Sequence, residues 1–572
     1  MVEHPIPERA SPRVIPAILM IAALLTPMGM RAATLPNAGS QLRTIPPVVQ
    51  PPATDPNVQV ERRDAPAPVA NDATIVVKDI RIVNAHRFSE KDLIAATQFK
   101  SGDSISLAQL RDIASQVAEY YHAHGYFLAQ ATLPPQDIKE GVVTIAVLEG
   151  QYGNVVVRNH SRLSNSVANR LVDELHPGDT VDIKPLESGL LMLSDLPGVE
   201  VKSTLTPGAS VGAANLLIDV TPGRLVSGTI EADNSGNRYS GEYRLGGSAN
   251  LNNPFGVGDV ASLRVLSSFD GFNYGRASYQ LQIDRASFGV AFTALEYELG
   301  KEYKSLESHG TAQIGGIYGR YPIVRRRNTN LSLVANLEAK QFRDELDVIS
   351  PPVVSRKKTK VGMLSLVGNQ KDPGDGSQRG SAINYSLTWT TGTLSLLDAQ
   401  AVNSGAGTAS AGHYDKVGLS GAYLKAFALN DATSLSLYAS VNGQWATDTL
   451  DSSEKLSLGG ANSVRAYPEG EAPVDEGYVI TVEARLPFAI PKIAGQWEAA
   501  VFADSGSGNL STDPIAGQAN RRTLSGAGFG LNWWVGRHFY LRTNYAHKLG
   551  SEVATSVPDS NSRFWFNAVG FF

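Results

Sequence analysis

Two hydrophobic periods divide the chain. Between residues 74 and 222 short alternating runs give way to apolar residues at spacings of three and four, whereas beyond 223 the helical period does not return. Ile75, Val77, Ile80 and Ile82 predict a strand, and Ser89 ahead of Glu90, Leu93 and Ile94 predicts a capped helix. Ser106 caps a second helix through Leu107, Leu110, Ile113, Val117 and Tyr120, because a hydroxyl there accepts from an N–H that the first turn leaves unpaired. Gly125 stops it, and strands at 126–132 and 142–148 follow, set apart by Pro134-Pro135 and Glu140-Gly141. The β-α-α-β-β order then repeats: strand 154–159, helix 164–175, the turn Pro177-Gly178-Asp179, helix 183–193, and strands 198–205 and 215–220. This gives tandem modules at 74–150 and 151–222, the layout of a binding array. They are either plain spacers or offer a strand edge to which a partner strand can add.

Beyond 223 the alternation is strict. Leu435, Leu437, Ala439 and Val441 oppose Ser434, Ser436, Ser440 and Asn442; Tyr478, Ile480, Val482, Ala484 and Leu486 oppose Thr481, Glu483 and Arg485; Ala527, Phe529, Leu531 and Trp533 oppose Gly526, Gly528, Gly530 and Asn532. Sandwich strands are commonly about five or six residues, whereas these have the length of a tilted membrane strand, roughly 9–11 residues. The region holds about 16 strands, an even number that returns both barrel ends to one side. Tight links at 252–256, 286–287, 429–432 and 535–537 alternate with long ones at 344–358, 392–413, 444–476 and 507–522, as short periplasmic turns alternate with long outer loops. Trp497, Ala499, Val501 and Ala503 are expected to face lipid, and Glu498, Phe502 and Asp504 the lumen. The expected fold is therefore mainly β: a transmembrane β-barrel over 223–572 behind two α/β modules.

Ahead of the modules, Arg9 and Arg13 precede an apolar run over 14–30, broken by Pro16, Pro27 and Gly29 and followed by Ala32 and Ala33. This predicts a cleaved signal peptide over 1–33 rather than an anchor helix. Residues 34–73 form a linker with prolines at 36, 46, 47, 51, 52, 56, 66 and 68, which favour extended backbone. Only 37–43 leaves room for a helical turn, so any helix plugging the barrel is short.

Charge and chemistry narrow the function. With 50 Lys and Arg against 55 Asp and Glu, a net charge of −5, no nucleic-acid partner is expected. The absence of cysteine removes disulfides, thiolate metal sites and cysteine nucleophiles. The glycines of Gly526-Ala527-Gly528-Phe529-Gly530 lie in a strand with no following helix, and neither H-E-x-x-H, G-x-S-x-G nor a phosphate loop occurs. His122 and His124 do not share a helix face. Asp372-Pro373-Gly374-Asp375-Gly376 lacks the distal acid of a calcium loop and reads as a turn. Arg325-Arg326-Arg327 reads as a solvated run in a periplasmic turn. No catalytic residue, metal ligand or cofactor is expected, and the chain is not read as an enzyme.

Within the longest connection stands Leu458-Gly459-Gly460-Ala461-Asn462-Ser463-Val464-Arg465-Ala466-Tyr467, followed by Asp475-Glu476-Gly477-Tyr478, and on the next strand Phe502-Ala503-Asp504-Ser505-Gly506. The first resembles the V-R-G-Y/F motif in the sixth loop of polypeptide-transporting barrels, and the last their F-x-D-x-G wall motif. With two modules that look like POTRA domains, the chain resembles the two-partner secretion transporters of haemolysin and filamentous-adhesin type. An outer-membrane insertase of the same superfamily, usually with more modules, is the alternative, and a diffusion porin a more distant one.

The resemblance implies a bacterial outer-membrane location, POTRA domains in the periplasm, and a loop over 444–476 folded into the lumen. It also implies a lock between Arg465 and Asp504, whose guanidinium and carboxylate suit a bidentate pair, supported by Val464, Ala466, Tyr467, Phe502 and Gly506. Ala466 stands where the family has glycine, which would be strained if that position needs φ > 0. Phe572, closing the face of Phe564, Phe566, Ala568 and Gly570, resembles a barrel assembly signal. The implied partners are a secreted exoprotein with an N-terminal secretion domain, outer-membrane lipid and the barrel assembly machinery. The exoprotein would be bound unfolded by the POTRA domains and threaded through the pore.

Overall fold

The computed structural model describes residues 35–49, 58–60, 74–374, 379–398, 410–430 and 433–572. The expected signal peptide, most of the proline-rich linker and part of the Asp372–Gly376 turn lie outside the described residues. The first helix among the described residues has six residues, α1 (Ala38–Arg43), in which Asn37 accepts from the Ser40 amide and the Ser40 side chain accepts from the Asn37 amide. That reciprocal cap satisfies donors a short helix cannot pair internally.

The first module contains β2 (Thr74–Val77), β3 (Asp79–Val83), α2 (Glu90–Ala95), β4 (Asp103–Ser106), α3 (Leu107–Ala123), β5 (Gln130–Thr132) and β6 (Val142–Leu148). Ser89 and Ser106 cap their helices by accepting from the amides of Asp92 and Gln109. The sheet order is β3-β6-β5, with β5 at an edge. The buried Glu149 accepts from the amides of His86 and Arg87 and from the Tyr121 hydroxyl. Burial, then this bond, push the Tyr121 hydroxyl up from its ordinary range.

The second module contains β7 (Gln151–Asn159), α4 (Asn165–Leu171), α5 (Ile183–Ser194), β8 (Val199–Pro207) and β9 (Ala213–Pro222). Its sheet runs β1-β8-β9-β7, where β1 (Val58–Val60) comes from the linker and pairs parallel with Ser203–Leu205. The chain's own linker thus covers the β8 edge.

Sixteen strands close the barrel. The first eight are β10 (Val226–Asp233), β11 (Arg244–Asn252), β12 (Val260–Ser267), β13 (Phe272–Ile283), β14 (Ala286–Glu298), β15 (Ser308–Arg325), β16 (Thr329–Leu346) and β17 (Val353–Gly374). The rest are β18 (Arg379–Leu396), β19 (Gly412–Ala428), β20 (Ser434–Ala446), β23 (Glu476–Phe488), β24 (Gln496–Asn509), β25 (Arg521–Val535), β26 (Phe539–Lys548) and β27 (Ser562–Phe571). Two strands of two residues, β21 (Leu456–Ser457) and β22 (Pro473–Val474), lie inside the connection 447–475. Neighbours pair antiparallel around the ring, and β10 closes on β27 from Thr229↔Phe571 to Asp233↔Asn567. Alternation places side chains as the sequence predicts: Val501 is 61% exposed on the outer wall, while Phe502 and Asp504 are buried inside.

Two expectations are corrected. The long connection expected over 344–358 shrinks to 347–352, because the polar residues on either side continue the β16–β17 ladder; solvated charges do not interrupt backbone pairing. The arginine run is also not simply solvated. Arg325 forms a two-pronged bond with Asp195 of the second module, at 2.6 and 2.7 Å. Beside it, Arg285 reaches Glu174 at 2.7 Å and Ser188 at 2.9 Å, Arg170 reaches Asp284 at 2.9 Å, and the Ser164 amide donates to the Gly256 carbonyl. These bonds dock the module on the barrel turns. Because the pairs are partly exposed, each contributes roughly 0–1 kcal/mol. Arg285→Ala/Arg325→Ala is expected to leave the barrel folded and to speed protease cleavage at residues 222–226, measured by limited proteolysis; an unchanged rate would show that the contacts do not hold the module.

Candidate functional site in the barrel lumen

The connection 447–475 folds back into the barrel. Leu458, Val464, Ala466, Tyr467 and Val474 are fully buried and pack against Val479, Phe502, Leu524 and Ala546 of the inner wall. At its tip, Arg465 is enclosed by wall groups. Its Nε and Nη2 donate to the two Asp504 oxygens at 2.9 and 2.8 Å, and its Nη1 donates to Glu483 at 2.7 Å and Asn544 at 3.3 Å. Its amide also donates to Asp504, and its carbonyl accepts from the Trp565 indole at 2.7 Å. The Phe502 ring lies beneath, 3.3 Å from the guanidinium carbon. Arg485, 2.6 Å from Glu483, supplies the second cation that two buried carboxylates require.

The other motif residues shape the seat. Val464 abuts Gly506, where a Cβ would come within 3.2 Å of it. The Tyr467 hydroxyl donates to the Glu552 carbonyl at 3.1 Å. The feared strain at Ala466 does not arise, because its φ is not in the left-handed region. Its methyl instead occupies the space left by Gly526, where a Cβ would lie 2.5 Å away. Gly526→Val is therefore expected to displace the loop tip from an assembled barrel, read as protease access to 460–467, whereas Ala466→Gly should leave it seated. Protection retained in Gly526→Val would refute this packing.

Further bonds hold the rest of the loop. Glu471, fully buried, accepts from the amides and hydroxyls of Thr555 and Ser556 in the last outer connection. Nearer its start, Asp451 pairs with Lys357 at 2.5 Å, and Glu454 with Lys340 at 2.8 Å and Lys416 at 3.0 Å. α1 lies on this second anchor inside the barrel. Ser452 donates to the Asn37 side chain at 2.8 Å, Arg43 Nη1 donates to Ser457 at 2.5 Å, and Asp344 accepts from the Ala38 amide at 2.8 Å. Beyond the helix, the carbonyls of Thr44 and Pro46 accept from Arg244 and Arg264 of the wall. The lumen is thus closed by two pieces, loop and helix, that share Ser452 and Ser457.

The motif singled out Arg465 and Asp504 but missed Glu483, Asn544, Trp565 and the second anchor. Inward-facing lysines at Lys340, Lys357 and Lys416 were discoverable from alternation; Asp451 and Glu454, in a loop, carry no period. Among the described residues, His309, Glu345 and Asp347 bring three possible metal ligands within 4.8 Å, but Arg343 already sits 2.6 Å from Glu345.

A closed barrel joined to POTRA modules, with a charged loop locked in its lumen, defines a transporter of the outer membrane rather than an open porin. The chain belongs to the haemolysin secretion/activation protein family ShlB/FhaC/HecB, which matches residues 212–533, and residues 75–150 match the ShlB-type POTRA domain. It is 30% identical over 485 residues to the heme/hemopexin transporter protein HuxB of Haemophilus influenzae (strain 86-028NP), covering 82% of each chain. It is 23% identical over 402 residues to the outer membrane transporter CdiB of Dickeya dadantii (strain 3937), covering 69% of each. The solved structure of CdiB from Escherichia coli superposes with a TM-score of 0.68 at 20% identity, over 89% of this chain and 93% of that one. The barrel lies in the outer membrane, with its POTRA domains in the periplasm.

Proposed function

We propose that this protein exports an unfolded exoprotein of haemolysin or adhesin type, captured in the periplasm through its N-terminal secretion domain. The manner in which the lumen is closed carries this reading. Loop and helix are held by ion pairs, hydrogen bonds and side-chain packing, none of it part of the barrel's own ladder, so both can leave without breaking the β-ladder. In this reading Arg465 and Asp504 are the lock, with Val464, Ala466, Tyr467, Phe502 and Gly506 shaping its seat. Residues 74–150 and 151–222 are the POTRA modules, 223–572 the barrel, and Phe572 the signal for the assembly machinery. The open edge of β5 suits addition of a cargo strand, whereas β1 covers the β8 edge. In this reading the protein acts without catalysis, and folding of the exoprotein outside supplies the drive.

The test is co-expression with the exoprotein encoded beside its gene, with cargo measured at the surface or in the medium. Deletion of 74–222 is expected to abolish export while the barrel still shows heat-modifiable mobility; undiminished export would contradict the proposal. The β10–β27 ladder is the shortest in the barrel, extended by the backbone bonds between Gly228 and Phe572 at one end and by the bonds of Asn234 to Phe564 and Phe566 at the other, and this favours the insertase as second reading. In that case loss of the protein would lower the level of other outer-membrane barrels.

A further inference from the structure

Along β17, Lys357, Thr359 and Val361 are buried inside the barrel, so Arg356, Lys358 and Lys360 point outward. The same outer face continues toward the periplasm as Leu364 and Leu366, 43% and 40% exposed, flanked by Leu337 of β16 and by Leu387 and Trp389 of β18. This is the apolar band of the barrel, and the cations stand at its extracellular rim, on the side of the 347–352 connection.

We infer that this rim binds an anionic, phosphate-bearing lipid of the outer leaflet, with Lys358 and Lys360 as headgroup ligands. Register brings Gly315, Ala339, Lys360, Thr393 and His413 into one row across five strands. The small residues of that row open a groove of about 640 Å³, whose other lining includes the outward-facing Val290, Ile317 and Leu337. The groove joins an apolar floor to a basic and hydroxylic rim, which matches an acyl chain below a phosphate.

Charge supports the same ligand. Arg343 and Arg356 face each other in register and have carboxylate partners, Glu345 at 2.6 Å and Asp398 at 3.7 Å. Among the described residues, no ion pair joins Lys358 or Lys360 to a carboxylate. Two like charges on one strand face, beside two arginines, repel unless an anion lies between them. Free phosphate would satisfy the lysines but leave the apolar groove uncovered, so the lipid is the occupant that fits both parts.

The full-length protein in detergent would be incubated with diphosphoryl lipid A or with phosphatidylcholine, and bound lipid counted by native mass spectrometry. Retention of the diphosphoryl lipid is expected to exceed that of phosphatidylcholine about fivefold or more. Lys358→Gln/Lys360→Gln should remove this preference, and Lys371→Gln/Lys425→Gln, at the other end of the strands, should keep it. Heat-modifiable mobility would show that each variant is folded. Equal retention by wild type and Lys358→Gln/Lys360→Gln would overturn the inference. So would loss of the lipid to inorganic phosphate alone, or a dimer that disappears in that variant, which would make the groove's occupant a second copy of the chain.

Discussion

Arg465→Ala is expected to cut surface export of the exoprotein by about tenfold or more while the barrel remains assembled. The substitution removes a cation 2% exposed and leaves Asp504 and Glu483 without it. Removing one partner of such a buried pair costs about 3–5 kcal/mol, mostly from the carboxylate left without compensation. The cost falls on the seated loop and not on the β-ladder, because Arg465 belongs to 447–475 and touches the wall only through side chains and the Trp565 indole. The loop should therefore lie loose in the lumen, in the path of the cargo, instead of moving as one piece between its seat and an open position, while the strands hold. Arg465→Lys keeps the charge but cannot reproduce the two-pronged bond to Asp504, and should fall between wild type and alanine. The measurement is cargo in the medium beside heat-modifiable mobility; full export in Arg465→Ala would show that the lock is dispensable.

The second large effect belongs to the other anchor. Asp451→Asn/Glu454→Gln leaves Lys340, Lys357 and Lys416 facing the lumen without their loop carboxylates, although Glu338 still lies 3.3 Å from Lys340, and the Glu454 carbonyl and Ser452 hydroxyl still accept from Lys416 and Lys357. α1 rests on the same segment through Ser452 and Ser457, so both closing pieces should loosen together. Single-barrel conductance in planar bilayers is expected to rise several-fold, with more frequent open events. The buried pairs are screened little by salt, so the difference from wild type should persist at high ionic strength. Conductance equal to wild type would mean that Asp451 and Glu454 do not hold the pore closed. Since both anchors act on one loop, combining these substitutions with Arg465→Ala should be non-additive.

The barrel was legible because alternation is a direct trace of an inner and an outer wall: the same period that placed Val501 outside placed Phe502 and Asp504 inside. Helix starts were equally readable at Ser89 and Ser106, where a hydroxyl meets a free amide. The ends of the outer connections were not, because charged residues that look like loop in sequence extend the ladders above the membrane. Nor could sequence show that Arg325 meets Asp195, or that Asp451 meets Lys357. These contacts join residues far apart in the chain, and each partner alone looks like a solvated charge. Ala466 reads as a defect until Gly526 is seen opposite it, leaving room for the methyl.

If cargo crosses the lumen only after the loop leaves its seat, a tether between Val464 and Gly506 must block export. The chain has no cysteine, and the position of a Cβ on Gly506 lies 3.2 Å from Val464. Val464→Cys/Gly506→Cys can therefore pin the loop with the only disulfide in the molecule. Cargo export measured in one cell population before and after reduction is expected to be blocked when oxidised and restored when reduced, with each single variant unaffected by either condition. Equal export from the oxidised and reduced protein, with the disulfide verified by mass spectrometry, would contradict the account.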